Sequence, residues 1–213
     1  MGTKERRTRE RIETREKILG AARDMFAEEG YESVTMRAIA QRIEYTSTAI
    51  YHHFPSKQAL LQELCECDFA DLGRHFQSNV ASADPIGRLK DVGLAYLQFA
   101  IEHPSHYRFM FMTVIPQAEL SEEFVHGSLH DPERNAYIIL HEACAQAIEQ
   151  QRFRPEITDP DMVAQILWSA LHGIISLRIA KHHQSFVPWK DLRETAQTAI
   201  DILFRGLLRE SSS

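Results

Sequence analysis

Apolar positions recur at helical spacing along most of this chain. Over residues 10–29 they fall at Ile12, Ile18, Leu19, Ala22 and Phe26, opposite a polar face, which predicts an amphipathic helix. Gly30 follows as a left-handed stop. Thr35 stands directly before Met36, Ile39, Ala40 and Ile43, and Thr46 before Ala49, Ile50 and His53. Threonine in such a place caps a helix N-terminus. Two helices of about eight residues are too short to be stable alone. They must dock on the first helix, and the combination predicts a three-helix helix-turn-helix unit.

Phe54-Pro55-Ser56-Lys57 interrupts the pattern. Ser56 can cap a fourth helix that buries Leu60, Leu61 and Leu64 and continues to Phe76. This helix is expected to lead from a small domain, residues 1–56, into a larger one, residues 57–213. Asp84-Pro85 opens the next helix, with Leu89, Val92, Tyr96 and Phe99, which ends near His103-Pro104. A short helix over Ser105 to Val114 precedes Pro116 and a polar stretch. Asp131-Pro132 opens a helix to about Arg152, with Asp131 as cap and Pro132 in the first turn. Asp159-Pro160 starts another, to about His183, and the last runs from about Trp189 to Arg209 before a tail, Ser211 to Ser213, expected to fray. Strand-like alternation of useful length is absent, so the expected fold is all-α, with about nine helices.

Composition narrows the class. The 213 residues are 44% hydrophobic and 25% charged, as in ordinary globular domains. No apolar run approaches the roughly 20 residues needed to cross a bilayer. The charged N-terminus lacks the apolar segment of a secretory signal. A cytoplasmic protein with no membrane partner is the expectation, and Cys65, Cys67 and Cys144 are expected to be reduced. Net charge is −6, which alone argues against nucleic acid, but the charge is unevenly placed. Residues 1–60 carry 11 Lys/Arg against 9 Asp/Glu, and the extreme N-terminus is locally basic through Lys4, Arg6, Arg7, Arg9 and Arg11.

A helix-turn-helix reads DNA with the second of its paired helices in the major groove. Here that helix spans 46–53 and offers Ser47, Thr48, Tyr51 and His52, short or planar groups that hydrogen-bond to base edges or phosphates. Ile50 should face the core. Thr35 can place its hydroxyl and its helix N-terminus against a phosphate. Lys57 is poorly placed for its own helix dipole, and a phosphate partner makes better sense of it. Each residue has a plain structural alternative: Thr35 and Thr46 are caps, Tyr51 can pack under Phe54, and Lys57 can be a solvated lysine.

The block from Tyr31 to Leu61, YESVTMRAIAQRIEYTSTAIYHHFPSKQALL, resembles the N-terminal domain of the TetR family of bacterial transcriptional regulators. The likeness covers about residues 10–64 in detail and the helical remainder in outline. It implies a homodimer on a palindromic operator of double-stranded DNA, commonly a repressor released by a small ligand, with Thr35, Thr46, Thr48, Tyr51, His52 and Lys57 as DNA contacts. Two departures stand out. The family usually has glycine in the turn between helices two and three, where this chain has Glu44, and a small aliphatic where it has Tyr45. Glu44 is strained if that turn is left-handed.

In the larger domain, the helices over 160–183 and 189–209 are the dimerisation candidates, with Leu167, Leu171, Ile174, Ala199 and Leu203 in the seam and Gly173 permitting a close crossing. Tyr96, Phe99, Tyr107, Phe111, Tyr137, His141, Trp168 and His172 combine bulk with a few polar handles, which suits an apolar or aromatic effector, although such residues are also ordinary core. Metal and cofactor sites are not expected. His103-x-x-His106 and His182-His183 lack matching carboxylate or cysteine partners, and no phosphate loop, dinucleotide fingerprint or nucleophile elbow occurs. An enzyme is therefore not expected. The competing readings are a DNA-binding regulator without an effector, and a helical enzyme or carrier that keeps the small domain as structure.

Overall fold

The computed structural model describes residues 3–128, 131 and 135–209. Among them are ten α-helices: α1 (Thr3–Glu29), α2 (Met36–Arg42), α3 (Ser47–His53), α4 (Lys57–Asn79), α5 (Pro85–Glu102), α6 (Pro104–Met112), α7 (Glu122–Ser128), α8 (Ala136–Glu149), α9 (Pro160–Lys181) and α10 (Leu192–Leu207), with a 3-10 turn at Gln117–Glu119. The fold is all-α, as expected, and the only ladder-type pairing among the described residues is an isolated bridge between Phe153 and Leu208.

Several boundaries differ from expectation for local reasons. The first helix begins at Thr3 rather than near residue 10, with Arg6–Glu10 and Arg9–Glu13 ion pairs one turn apart along it. The extra helix, α7, lies in the stretch expected to be a polar connection; Ser121 Oγ accepts from Phe124 N at 3.1 Å and starts it. In place of a start at Asp131, α8 begins at Ala136, where Asn135 Oδ1 accepts from Tyr137 N. Pro132 and the Ser211 to Ser213 tail lie outside the described residues. The last helix starts at Leu192 because Asp191 Oδ1 caps Glu194 N at 2.9 Å.

The chain forms two compact units. The first takes in Met1–Phe69 and His103–Gly127, the second Ala70–Glu102 and Ser128–Ser213. In the first, α1 buries Ile18, Ala22 and Phe26 against Ile39 of α2, Ile50 of α3 and Leu60, Leu61 and Leu64 of α4. Phe109 of α6 and Phe124 of α7 complete this core, with Phe26 stacked on Phe109 at 6.1 Å and tilted on Tyr31 at 5.3 Å. Gly30 ends α1 at φ +83°, a conformation open to glycine without a Cβ clash.

A buried charge fixes α1 against α4. Asp68 is fully buried, and Arg23 grips both its carboxylate oxygens at 2.7 and 2.8 Å. His106 has no carboxylate partner at sequence-local spacing; the fold supplies Asp68, 3.9 Å from His106 Nε2.

The second unit packs α5, α8, α9 and α10 together around Leu89, Val92, Phe99, Cys144, Leu167, Leu171, Ile175, Ile200 and Phe204. Gly93 lets α5 approach closely: a Cβ there would meet Leu171 Cδ1 at 3.0 Å and Ile200 Cδ1 at 3.2 Å. Burial pushes the Cys65 and Cys144 thiols up to about 12, so both stay protonated and inert at neutral pH. The expectation that no stretch is long and apolar enough to cross a bilayer does not hold for α9. By length and composition α9 could cross one, because its charges lie toward its ends and its interior polar residues, Gln165, Ser169, His172 and Ser176, are neutral or weakly basic. Only 28% of that stretch is buried.

Removing one partner of the α1–α4 ion pair strands the other charge. Asp68→Ala should cost about 3–5 kcal/mol in urea unfolding, and the double replacement Arg23→Met/Asp68→Leu should recover most of that loss. Equal loss in both variants would show that packing, rather than the stranded charge, carries the effect.

Candidate DNA-binding surface and effector unit

The helix-turn-helix is held by side-chain caps at both starts and by backbone closure at the turn. Thr35 Oγ1 accepts from Ala38 N at 3.1 Å and Thr46 Oγ1 from Ala49 N at 3.2 Å. After α2, Tyr45 N donates to Ala40 O at 2.9 Å and Glu44 N to Gln41 O at 3.2 Å. This is a Schellman closure, which places Glu44 at φ +60°. The turn therefore has the left-handed geometry that glycine would take at no steric cost. Gln151, at φ +53°, closes α8 in the same way.

With the turn fixed, the two faces of α3 separate. Ile50 and the following Phe54 are buried, whereas Thr48, Tyr51 and His52 are exposed and Ser47 is half-buried. Tyr51 is 52% exposed, so it does not pack under Phe54. Lys57 is half-buried, its ammonium 4.0 Å above the ring of Tyr31, whose hydroxyl donates to Glu119 Oε2 at 2.8 Å. Burial and the Glu119 carboxylate both push the Tyr31 hydroxyl upward, so it remains a donor.

Arg15 is a residue that the sequence reading missed. It donates to both Glu63 carboxylate oxygens and, at 2.8 Å, to the His53 carbonyl, and its guanidinium lies 4.2 Å over Phe54. It thus ties the end of α3 to α1 and α4. Its signal was faint, because an arginine on the polar edge of an amphipathic helix resembles any solvated one. Burial, then the charges of Arg11, Arg15 and His52, hold His53 below the usual histidine range.

In the second unit the structure brings together five of the eight effector candidates. Trp168 Nε1 donates to Tyr96 Oη at 3.1 Å, and Tyr96 Oη lies 3.2 Å from His172 Nδ1. The Tyr137 ring stands 6.1 Å from Trp168, its hydroxyl donates to Asp161 Oδ1 at 3.2 Å, and His141 Nε2 is 3.6 Å from the same oxygen. Burial pushes His172 down, keeping it neutral and able to accept at Nδ1, and pushes the Tyr137 hydroxyl up. Phe99 is buried edge-on to His75, whose Nε2 is buried without a hydrogen-bond partner. The remaining two belong to the first unit, where Tyr107 packs on Phe111 at 5.1 Å and Phe111 meets Phe69 edge-on at 6.3 Å.

The dimerisation candidates divide by burial. Leu167 and Leu171 point into the unit's own core, while Ile174, Ala199 and Leu203 are half-buried. Ile166, Leu177 (55% exposed) and Ile202 (62% exposed), apolar positions of the same two helices, face outward beside them. Among the described residues, and apart from the chain neighbours and the helix's own backbone, nothing comes within 4 Å of where a Cβ would stand on Gly173 or Gly206.

Residues 18–64 match the family model described as bacterial regulatory proteins, tetR family. Residues 89–203, more than half the chain, match that of the tetracyclin repressor-like C-terminal domain. The chain belongs to the TetR family. It is accordingly a DNA-binding transcriptional regulator. It is 27% identical over 172 residues to the HTH-type transcriptional regulator UidR of Escherichia coli K12, covering 76% of this chain and 80% of that one. The HTH-type transcriptional repressor KstR2 of Mycobacterium tuberculosis is 29% identical over 154 residues, 72% of this chain and 75% of its own. Its solved structure, described as a ketosteroid transcriptional regulator, superposes with a TM-score of 0.71 over 92% of this chain and 96% of that one, at 23% identity. The TetR family regulator PfmR of Thermus thermophilus gives 0.68 over 90% and 99%, at 25% identity.

The Glu44 turn offers a test whose sign is diagnostic. In a right-handed helix interior alanine is the more stable residue, by about 1 kcal/mol over glycine. At φ +60° the order should reverse, so that Glu44→Gly is more stable than Glu44→Ala by about 1 kcal/mol in thermal or urea unfolding. Alanine as the more stable variant would contradict the left-handed turn.

Proposed function

We propose that this regulator is a homodimeric, cytoplasmic repressor that reads a palindromic operator through α3 and releases it when a small apolar or aromatic ligand binds its second unit. The observation that carries the first part is the outward face of α3. A seven-residue helix capped by Thr46, entered from the Schellman turn that closes α2 and held at its end by Arg15, leaves Thr48, Tyr51 and His52 in solvent, with no core role that would account for Tyr51. Thr48 and His52 suit base edges, Tyr51 and Ser47 suit bases or phosphates, and Thr35, Thr46 and Lys57 flank them at helix starts where phosphate is favoured.

The dimer reading is supported by the outward apolar strip of α9 and α10. Ile166, Ile174, Leu177, Ala199, Ile202 and Leu203, with the open glycines 173 and 206, offer two helices for a four-helix seam. The same strip accounts for the low burial of α9 without invoking a bilayer. A twofold dimer presents two α3 helices to half-sites about one helical turn apart, roughly 34–36 Å.

The effector reading is supported by the Tyr96–Trp168–His172 network with Tyr137 and His141 beside it, and by the buried, unpartnered His75 Nε2 next to Phe99. A ligand with one polar group on an apolar body suits such a lining. The naming of one relative as a ketosteroid regulator is in keeping with that class. Release requires that the ligand bind the DNA-incompetent arrangement more tightly.

Selection of genomic fragments with purified protein, followed by binding at fixed salt, tests the DNA reading: a palindrome should be enriched well above scrambled sequence. Tyr51→Ala should then weaken that operator by about 1–3 kcal/mol with unfolding stability unchanged. An unaltered affinity would remove Tyr51 from the reading face. For the seam, Ile166→Asp/Ile202→Asp should convert the dimer to a folded monomer in sedimentation, and a persistent dimer would relocate the interface.

A further inference from the structure

The N-terminal turns of α1 lie before the segment that matches the family model, which begins at residue 18. Their charges are sorted. Lys4, Arg7 and Arg11 recur at three- and four-residue spacing on one side of the helix, and none has an ion-pair partner among the described residues. Glu5, Glu10, Glu13 and Glu16 fall on the other half of the circumference, where Arg6 pairs with Glu10 at 3.5 Å and Arg9 with Glu13 at 4.0 Å.

The unpaired stripe also has a direction. Continued along α1 by the same spacing it runs through Arg15 to Ile18 and Ala22, the side that docks on the rest of the first unit. Arg15 is anchored to the His53 carbonyl at the end of α3, and one turn out Arg11 is close enough to His53 to act on its charge. The basic stripe therefore starts beside the C-terminal end of α3 and extends away from it. From Lys4 to Arg11 it spans about 10 Å, the axial rise of roughly three base pairs of duplex DNA.

We propose that residues 3–13 form a preformed, basic extension of the reading head that grips the phosphates of duplex DNA flanking each operator half-site. The proposal rests on α3 being the DNA-contacting helix. Helical order set before binding avoids the ordering cost that a flexible basic arm incurs on DNA. The contact is sequence-independent, so it adds affinity and footprint length but no base preference.

The test compares two double variants of equal charge change in the full-length protein, Arg7→Gln/Arg11→Gln and Arg6→Gln/Arg9→Gln, with Arg7→Lys/Arg11→Lys as the charge-retaining control. Binding is measured across a salt series on the selected operator, with and without about ten flanking base pairs on each side, one turn of duplex. Loss of Arg7 and Arg11 should lower the slope of log affinity against log salt by about 2, near 0.9 for each lost phosphate. The lysine variant should keep the slope, and the Arg6/Arg9 variant should change it less. Trimming the flanks should weaken the parent and leave the Arg7/Arg11 variant unaffected, with outer backbone protection lost from its hydroxyl-radical footprint. Equal effects of the two glutamine variants, or a parent indifferent to the flanks, would overturn the extension while leaving α3 as the reader. A folded parent that selects no operator would overturn the α3 reading, and the extension with it.

Discussion

Seven-residue helices do not hold themselves. Fixing the first turn of a helix costs more backbone freedom than its single hydrogen bond returns, so α2 and α3 exist only where an apolar surface already waits for them. That surface is the Ile18, Ala22 and Phe26 face of α1, backed by Leu60, Leu61 and Leu64 of α4. The placement of Thr48 and Tyr51 in solvent follows from Ile50 and Phe54 being committed to that core. The Arg23–Asp68 pair then removes freedom from the support itself, because a bidentate pair against a fully buried carboxylate tolerates little sliding between α1 and α4.

The second unit uses its residues differently. Its helix α9 leaves Ile166, Trp168 and Leu177 exposed, and the other exposed positions of its interior, Gln165 and Ser169, carry no charge. That combination makes α9 resemble a membrane span by composition, although its inner face packs on α5, α8 and α10. Within the same helix, Trp168 and His172 turn toward Tyr96 and form a polar network inside a largely apolar neighbourhood. One helix thus serves a core, an outward apolar strip and an aromatic polar cluster on three separate faces.

Much of this was legible from residue order. Caps at Thr35, Thr46 and Ser56, the stop at Gly30 and the interior place of Ile50 all rest on local chemistry, and local chemistry survives folding intact. The same holds for the strained turn at Glu44. Long-range partnerships were not legible. Nothing in the spacing of Phe109 and Phe124 tells which helix they will meet. The pairing of Asp68 with Arg23, 45 residues away, has no signal in the local pattern of either helix. Among the site residues, Tyr96, Trp168 and His172 could be grouped by type but not by contact, and Leu167 could not be told from Ile166 by pattern, although one points inward and the other outward.

The first unit is not continuous along the chain. Its core is completed by Phe109, stacked on Phe26, and by Phe124, yet residues 70–102, which intervene, belong to the other unit. On the ribosome, α1, α2, α3 and the start of α4 are complete well before α6 is made. At roughly 5–20 residues per second the nascent reading head waits several seconds with part of its aromatic core open. Separate manufacture of this head as a short N-terminal fragment would leave the same surface open permanently. The residue order therefore starts the DNA-reading unit first but delays its completion until part of the other unit has already been made.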